Sequence, residues 1–442
     1  MTKQEAVIKY IEDNYLQFRR LRHDVISDKL QVRIAHHLSA PHNATSVIGD
    51  PAEDTALSGY SLEFKGGEYW REMTKNDINS IVCHCAQECD VNITSREVMT
   101  ALQSDLIPDV HPLREYVLSC REWTPDQPDW LDFVAQQVKV KPSGEEAKGN
   151  KARGEELWRA CFKKWFVAMV ASWMRDEVVN HQVLVLIGRQ GIYKTTWLEH
   201  LIPPHLRAYT CKLSNSNDLN KDERMRIAEF GLISLDEIDS MNNRELNQLK
   251  SIITATDVNE RAAYAYTKER RVRLASFCAS GNRRDFLTDI TGNRRWLPFE
   301  VESIQNPFFT TLPYNLMYAQ AWALAQDPQF CYWFELDEIE VLEQHNQYFR
   351  DESNEEQLLD VYFAVPPTDA TNAKFLTTAE ISERLIYYGN IKKPMTLSRL
   401  GVLLSQKGFL SIRKGTPQRR GWIVYERDSE EINAERRMLS KN

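Results

Sequence analysis

Long apolar runs are missing from this sequence. Nowhere in its 442 residues do about 18 apolar side chains follow one another, the length a membrane-spanning helix needs. The unbroken run Val183–Ile187 has the length of a strand. The N-terminal MTKQEAVIKYIEDNY is charged where an export leader would be apolar. These absences point to a cytoplasmic protein with no membrane partner, whose eight cysteines are reduced and mostly buried. A basic excess is missing too. The 55 Lys and Arg against 63 Asp and Glu leave a net charge of -8, which excludes a generally basic nucleic-acid coat but not a local basic surface. With no internal repeat, no low-complexity tract and no dense cysteine framework, collagen-like and disulfide-scaffold classes are excluded as well.

What is present suffices for large cores: 42% hydrophobic and 10% aromatic residues, in a chain long enough for about three domains. Charge is uneven. Glu335 to Asp360 carries ten acids against Arg350 alone, whereas Lys374 to Arg427 carries eleven bases against three acids, a local +8. The proline-bearing Val365-Pro-Pro-Thr-Asp-Ala-Thr-Asn separates them, and the polar Lys141-Pro-Ser-Gly-Glu-Glu-Ala-Lys-Gly-Asn-Lys marks an earlier break. These breaks imply a mainly helical 1–140, a core over 151–335, an acidic helical connector over 336–370 and a basic 371–442. Within 151–335, helical and apolar-strand segments alternate, the pattern of an α/β sheet with parallel strands. In the basic block, Thr378–Tyr388 and Thr396–Gln406 read as helices. Phe409–Arg413 and Gly421–Tyr425 then read as a hairpin, the element order of a winged helix.

Chemistry concentrates in three places. The apolar strand Val183–Ile187 runs into Gly188-Arg-Gln-Gly-Ile-Tyr-Lys-Thr-Thr and then a helix, the context of a P-loop. Backbone N–H groups from Gly188, Gln190, Gly191, Ile192 and Tyr193 through Thr196 would cradle the phosphates of ATP. Lys194 would reach the β and γ phosphates and Thr195 would hold Mg2+. Tyr193 stands where the usual pattern has its second glycine. Tyrosine resists positive φ, so the spacing implies a loop of different shape, with Gly191 supplying the permissive backbone. Next, Gly231-Leu-Ile-Ser-Leu-Asp-Glu ends an apolar strand in paired acids. Asp236 would hold Mg2+ and Glu237 would activate water as general base. Asp239 reads as a cap for the following helix. Third, Leu274–Gly281 is an apolar strand ending at Asn282, and Arg294 and Arg295 follow on a loop. Asn282 suits a γ-phosphate sensor, and either arginine suits a finger reaching a neighbouring subunit's nucleotide.

Those motifs, with Lys164-Trp-Phe-Val-Ala-Met-Val-Ala-Ser-Trp, Leu246-Asn-Gln-Leu-Lys, Asn259-Glu-Arg-Ala-Ala-Tyr-Ala and Thr291-Gly-Asn-Arg-Arg-Trp-Leu-Pro-Phe-Glu, resemble the virulence-associated protein E family. These are P-loop ATPases of bacterial mobile elements, related to superfamily 3 helicases. The resemblance implies an α/β, AAA+-like core with an N-terminal helical domain and a C-terminal winged helix. It also implies a hexameric ring acting on single- or double-stranded DNA during replication, with primer synthesis left to a separate protein. In such rings a hairpin between the acidic and sensor strands touches DNA. Arg261–Leu274 fits that place, with Lys268 and Arg270 for phosphates and Tyr266 for stacking on a base.

Competing readings remain open at this stage. The 261–274 hairpin is also readable as merely solvated. Arg413, Lys414, Arg419 and Arg420 would contact DNA phosphates or dock the wing on the acidic 335–360 segment. The odd Tyr193 leaves room for an ATP-gated nucleic-acid sensor or defence module that does not unwind DNA. Cys83-His-Cys-Ala-Gln-Glu-Cys lacks a second ligand pair for zinc and reads as a helix face used in packing. Phe330-Cys-Tyr-Trp-Phe reads as core.

Overall fold

Residues 2–35, 68–142, 151–213, 221–260, 269–287, 293–350, 353–367, 372–392, 394–414 and 418–439 are described by the computed structural model. The chain forms two units, Met1–Asn282 with Trp296–Glu338, and Arg283–Arg295 with Ile339–Asn442.

The first unit opens with α1 (Lys3–Ile11), the strands β1 (Leu21–Asp24), β2 (Lys29–Ala35) and β3 (Glu68–Glu72), and the helices α2 (Lys75–Cys89) and α3 (Ser95–Leu102). Each helix starts on a threonine that shares a reciprocal capping box with an acid three residues on: Thr2 with Glu5, Thr74 with Asp77, Thr94 with Glu97. The short β4 (Asp109–Val110) completes a sheet of order β3-β2-β1-β4. The 1–140 block therefore carries a four-stranded sheet beside its helices, which helical spacing alone did not reveal. Cys85 and Cys89 place their sulfurs near the Ala6 carbonyl of α1, so this cysteine face packs helix on helix. All eight cysteines are free. Only Cys85, Cys161 and Cys278 are buried, fewer than expected.

The break at 141 does not mark where the central sheet begins. After α4 (Pro112–Ser119) and α5 (Trp130–Ala135), β5 (Val138–Val140) joins the main sheet as an antiparallel edge. The long α6 (Lys151–Met174), β6 (Val183–Ile187), α7 (Lys194–His200), β7 (Thr210–Leu213), α8 (Lys221–Glu229) and β8 (Leu232–Leu235) follow. Then come α9 (Asn243–Thr254), β9 (Asp257–Glu260), β10 (Glu269–Val272), β11 (Ser276–Gly281), β12 (Trp296–Ile304) and α10 (Tyr314–Gln326). The sheet order is β5-β12-β6-β11-β8-β7, and the last five strands run parallel. This is the α/β layering that alternation implied. Covered on both faces, β6, β8 and β11 are wholly buried.

Helix α6 supplies the aromatic wall of this core. Trp158, Phe162, Trp165, Phe166 and Trp173 are all fully buried. Their polar edges are satisfied at the sheet: Trp165 Nε1 donates to the Phe277 carbonyl and Trp173 Nε1 to the Gly231 carbonyl, each at 3.0 Å. Gly231 makes room for this packing: a Cβ there would lie 2.6 Å from Leu113 Cδ1 and 3.0 Å from Trp173 Cε2, so a neighbour would have to shift. By contrast, Phe330–Phe334 is not core. Trp333 is 58% exposed, and Lys164 sits over the Phe334 ring. The segment follows α10 as irregular chain and has no period that could turn one face inward.

A buried polar network ties the N-terminal sheet to the segment before β7. Asp24 is 0% exposed, and its carboxylate accepts from Tyr209 Oη (2.7 Å), Gln31 Nε2 (3.1 Å), Ser27 Oγ (2.7 Å) and the Ile26 N–H (2.9 Å). Burial, then the Asp24 charge, push the Tyr209 hydroxyl well above its usual range, so it stays a donor. Tyr209→Phe leaves a buried carboxylate one donor short. The expected loss is about 1.5–3 kcal/mol, the value of a hydrogen bond to a charged group. Urea unfolding reads it, and an unchanged midpoint would show that the hydroxyl contributes nothing.

The strands β9 and β10 pair antiparallel, Glu260 opposite Glu269, as the stem of a hairpin. Directly after it, Arg273 is 1% exposed. Its guanidinium donates to the carbonyls of Asn180 (2.8 Å), Ala275 (3.0 Å) and Ile253, the last in the final turn of α9. Burial pulls its pKa down to about 9.

The second unit contains most of α11 (Leu336–Gln347), then α12 (Asn354–Tyr362), β13 (Phe363–Ala364), β14 (Lys374–Leu376), α13 (Thr378–Gly389), α14 (Leu397–Gln406), β15 (Leu410–Lys414), β16 (Arg419–Glu426) and α15 (Ser429–Leu439). Leu359, Phe363, Leu376, Ile381, Leu385, Leu400, Leu403, Leu404, Trp422 and Val424 form its core. Helix α12 of the acidic connector is thus built into this unit, and Asp360 pairs with Lys407 at 2.5 Å. β13, β14 and β15 all pair with β16. Gly421 lets β16 pass Phe375, whose Cζ would lie 2.5 Å from an added Cβ. No helix among the described residues is long and apolar enough to cross a membrane.

Candidate active site

Parallel strands leave their carboxyl ends on one edge, where ligands bind in open α/β sheets. Here β6, β11 and β8 are neighbours, so Gly188, Asn282 and Asp236 emerge side by side. Gln190, Gly191, Tyr193, Lys194, Thr195, Thr196, Asp236, Glu237 and Asn282 line one cavity of about 300 Å³, together with Ser280 and Gly281. Gly188 lies behind it, its N–H donating to the Gly281 carbonyl at 3.1 Å, and Ile192 packs against Gly188.

Lys194 begins α7 and is 7% exposed. Its Nζ donates to the Gly188 and Arg189 carbonyls, each at 2.7 Å, and lies 3.4 Å from Asn282 Oδ1. The loop is therefore curled around the ammonium. Burial lowers the lysine's pKa, and Asp239 and Asp236 oppose that shift. Tyr193 takes φ 67° and ψ 19°, the left-handed conformation a glycine would adopt there. The expectation of a differently shaped loop is thus corrected: tyrosine follows the glycine-like path, at a cost of about 1–2 kcal/mol. Its ring meets Phe308 edge-on, centroids 6.4 Å apart, and Asn306 Nδ2 donates to its hydroxyl at 3.4 Å. Those contacts help hold the strained backbone. Gly191, at φ +83°, has open space around it.

Three oxygens converge opposite the loop. Thr195 Oγ1 lies 3.2 Å from Asp236 Oδ1 and 2.9 Å from Ser280 Oγ, and Ser280 Oγ donates to Asp236 Oδ1 at 2.8 Å. A carboxylate with two hydroxyls is a hard donor set, suited to a cation such as Mg2+. Burial alone would raise the pKa of Asp236, but bonds from Ser280, Lys212 and Thr195 outweigh it and hold the carboxyl below its usual range. Lys212 Nζ sits 3.1 Å from Asp236 Oδ2 and 3.6 Å from Glu199.

Glu237 is exposed at the cavity rim and is also left-handed, φ 53°. Two non-glycine residues of this kind in one cavity fit the tendency of strained backbone to gather at functional sites. Asp239 does not cap α9. Asn242 does, in a capping box with Glu245. Asp239 Oδ1 instead accepts the Asn282 N–H at 2.9 Å, in a space that exists only because residue 281 has no side chain.

Ser280 and Lys212 escaped the sequence reading. Ser280 was findable, since strand alternation puts it on the same side as Asn282. Lys212, on a different strand, had no signal. Arg294 and Arg295 form a 3-10 turn of the second unit. Tyr266 and Lys268 fall outside the described residues. Arg270 is exposed and pairs with Asp257 at 2.7 Å. In the second unit, Arg413 stands opposite Arg420 and Lys414 opposite Arg419 across the β15–β16 ladder, all four exposed. Among the described residues none of the four forms an ion pair, although like charges placed directly opposite are unfavourable.

Comparison with known proteins returns no curated relative. Among solved structures, an apo structure of the NrS-1 C-terminal region (305–718) is 11% identical. It covers 95% of this chain and 100% of its own, with a TM-score of 0.41. An A-form apo structure of the same region is 10% identical, with coverage of 95% and 99% and a TM-score of 0.41. Residues 148–351 match the family described as the virulence-associated protein E-like domain.

Proposed function

We propose, from the match of residues 148–351 to the virulence-associated protein E-like domain, that the chain is an ATP-hydrolysing motor of the P-loop class. It would serve replication of a mobile element as a DNA helicase or initiator, assembled as a ring. The observation that carries this reading is the single cavity joining Lys194, Thr195, Asp236, Glu237 and Asn282 at the carboxyl edge of a parallel sheet.

In this reading, the triphosphate lies along the glycine loop. Lys194 exchanges its two carbonyl partners for phosphate oxygens. Thr195, Asp236 and Ser280 would hold Mg2+, which would supply charge neutralisation of the phosphates. Glu237 orients and deprotonates a water. Asp239 fixes the backbone of Asn282 so that the amide faces the terminal phosphate. The exposed Arg413, Lys414, Arg419 and Arg420 meet DNA phosphates, and the helix–helix–hairpin order of that unit supports a winged-helix reading. Arg294 or Arg295 acts on a neighbouring subunit's nucleotide.

The test is ATP hydrolysis with and without single-stranded DNA, followed by strand displacement on a forked duplex. DNA-stimulated hydrolysis with unwinding is expected, and Glu237→Gln should lower hydrolysis about a hundred-fold or more while ATP binding persists. Absence of hydrolysis under every condition would sink the motor reading. Stimulated hydrolysis without unwinding would select an ATP-gated sensor instead. Tyr193 no longer argues for that alternative, since it holds the glycine conformation.

A further inference from the structure

The cavity accounts for phosphates and a cation but names nothing for the nucleoside. Beside it stands a cluster of aromatic side chains that the fold does not bury. Phe308 is 69% exposed and Phe309 87%, and Tyr193 on the cavity wall is 38% exposed. Large aromatic rings left in water are costly, roughly in proportion to their apolar area. Three of them beside a polar cavity call for an occupant.

The rings are held in place. The Asn306 carbonyl accepts the Phe309 N–H at 3.1 Å and Asn306 Oδ1 accepts the Phe308 N–H at 3.0 Å, so the turn after β12 is closed at both ends. Asn306 Nδ2 reaches Tyr193 Oη. Phe308 meets Tyr193 at 6.4 Å and His200 at 5.6 Å, both edge-on, so it touches the N-cap of α7 and its last residue. The His200 ring is fixed in turn by the Thr196 carbonyl at 2.7 Å.

Topology assigns the two ends of a nucleotide. In the order β12-β6-β11-β8, the acids and Asn282 lie on the β11–β8 side of the glycine loop, and the Phe308 turn lies on the β12 side. A triphosphate whose terminal group faces Asp236 and Glu237 must lead its nucleoside the other way. We propose that Phe308, backed by Tyr193 and His200, is the platform on which the nucleotide base stacks, a role that also gives Tyr193 a reason to replace glycine. The inference rests on the nucleotide reading of the cavity and deepens it. A base presents its π face to such a platform whatever its identity.

The test compares Mg-ATP with Mg-tripolyphosphate, which has the phosphates and no base, by calorimetric titration of the full chain. Phe308→Ala should weaken ATP about ten-fold and leave tripolyphosphate unchanged, and Phe308→Trp should restore ATP binding. Unchanged ATP affinity in Phe308→Ala, or equal weakening of both ligands, would overturn the platform. So would a wild-type chain that binds ATP no more tightly than tripolyphosphate, an outcome that leaves the phosphate site standing. A wild-type chain that binds neither ligand removes the nucleotide reading and the platform with it.

Discussion

Lys194→Ala is expected to lower ATP hydrolysis by at least about a hundred-fold, the scale on which a fixed charge at a transition-state oxygen acts. The Lys194 side chain is held by the loop itself. Its ammonium is nearly buried, and it touches two loop carbonyls and the Asn282 amide. Among the described residues lining the cavity it is the basic one, set with Asp236 and Glu237. Removing it leaves those acids facing an incoming polyanion across the cavity, and charges at a partly buried site are screened less than in bulk water. It also frees the Gly188 and Arg189 carbonyls, so the loop itself relaxes. Lys194→Arg separates the two effects, since it retains charge but cannot fit the same pair of carbonyls. Hydrolysis rate and melting temperature should be measured together. A folded Lys194→Ala chain with full activity would remove Lys194 from the site.

The largest effect on stability is expected at Arg273. Arg273→Met should cost about 3 kcal/mol, and melting should shift by about 5 °C or more. Two terms oppose each other. Losing a buried cation removes its desolvation penalty, which amounts to several kcal/mol in a protein interior. Against that, the carbonyls of Asn180 and Ala275 lose this donor in places water does not reach, and that of Ile253 is left with His181 Nδ1 at 3.3 Å. The negative end of α9 also loses a cation, a partly buried arrangement worth up to about 2 kcal/mol. Together these losses outweigh the gain. Arg273→Lys should fall between the two, because an ammonium cannot span three carbonyls from different segments. A melting temperature equal to wild type in Arg273→Met would show that the carbonyls find other partners.

Arg273 also shows where the sequence runs out. In Arg270-Arg-Val-Arg, three arginines follow one another with the look of a solvated or DNA-facing run. Strand alternation and the strand's end divide them. The Arg270 side chain is 74% exposed and Arg271 is paired to Asp28 and Glu229, while Arg273 is buried. Nothing local says which arginine turns inward, because its partners are backbone carbonyls from residues 180 and 253. The central sheet was more legible. Its strands carry continuous apolar runs that lead straight into the glycine loop, Asp236 and Asn282, so pattern and chemistry agree. The N-terminal sheet was not, since β1 and β4 are short and charged and pair with each other across most of that block, His23 opposite Asp109. Tyr193 was read from propensity, and tertiary contacts to Asn306 and Phe308 overrode it.

The β15–β16 hairpin has a consequence for ionic strength. Arg413 faces Arg420 and Lys414 faces Arg419, so the strand ends repel one another across the ladder. Added salt screens that repulsion within about 10 Å at 0.1 M and so steadies the free hairpin. The same salt competes for any polyanion that settles between the four cations, and full neutralisation of four phosphates would give a log–log slope near about -3.6. Salt would therefore tighten the hairpin and loosen its grip together, and a bound phosphate chain would supply from outside the counter-charge that the strands do not provide for themselves.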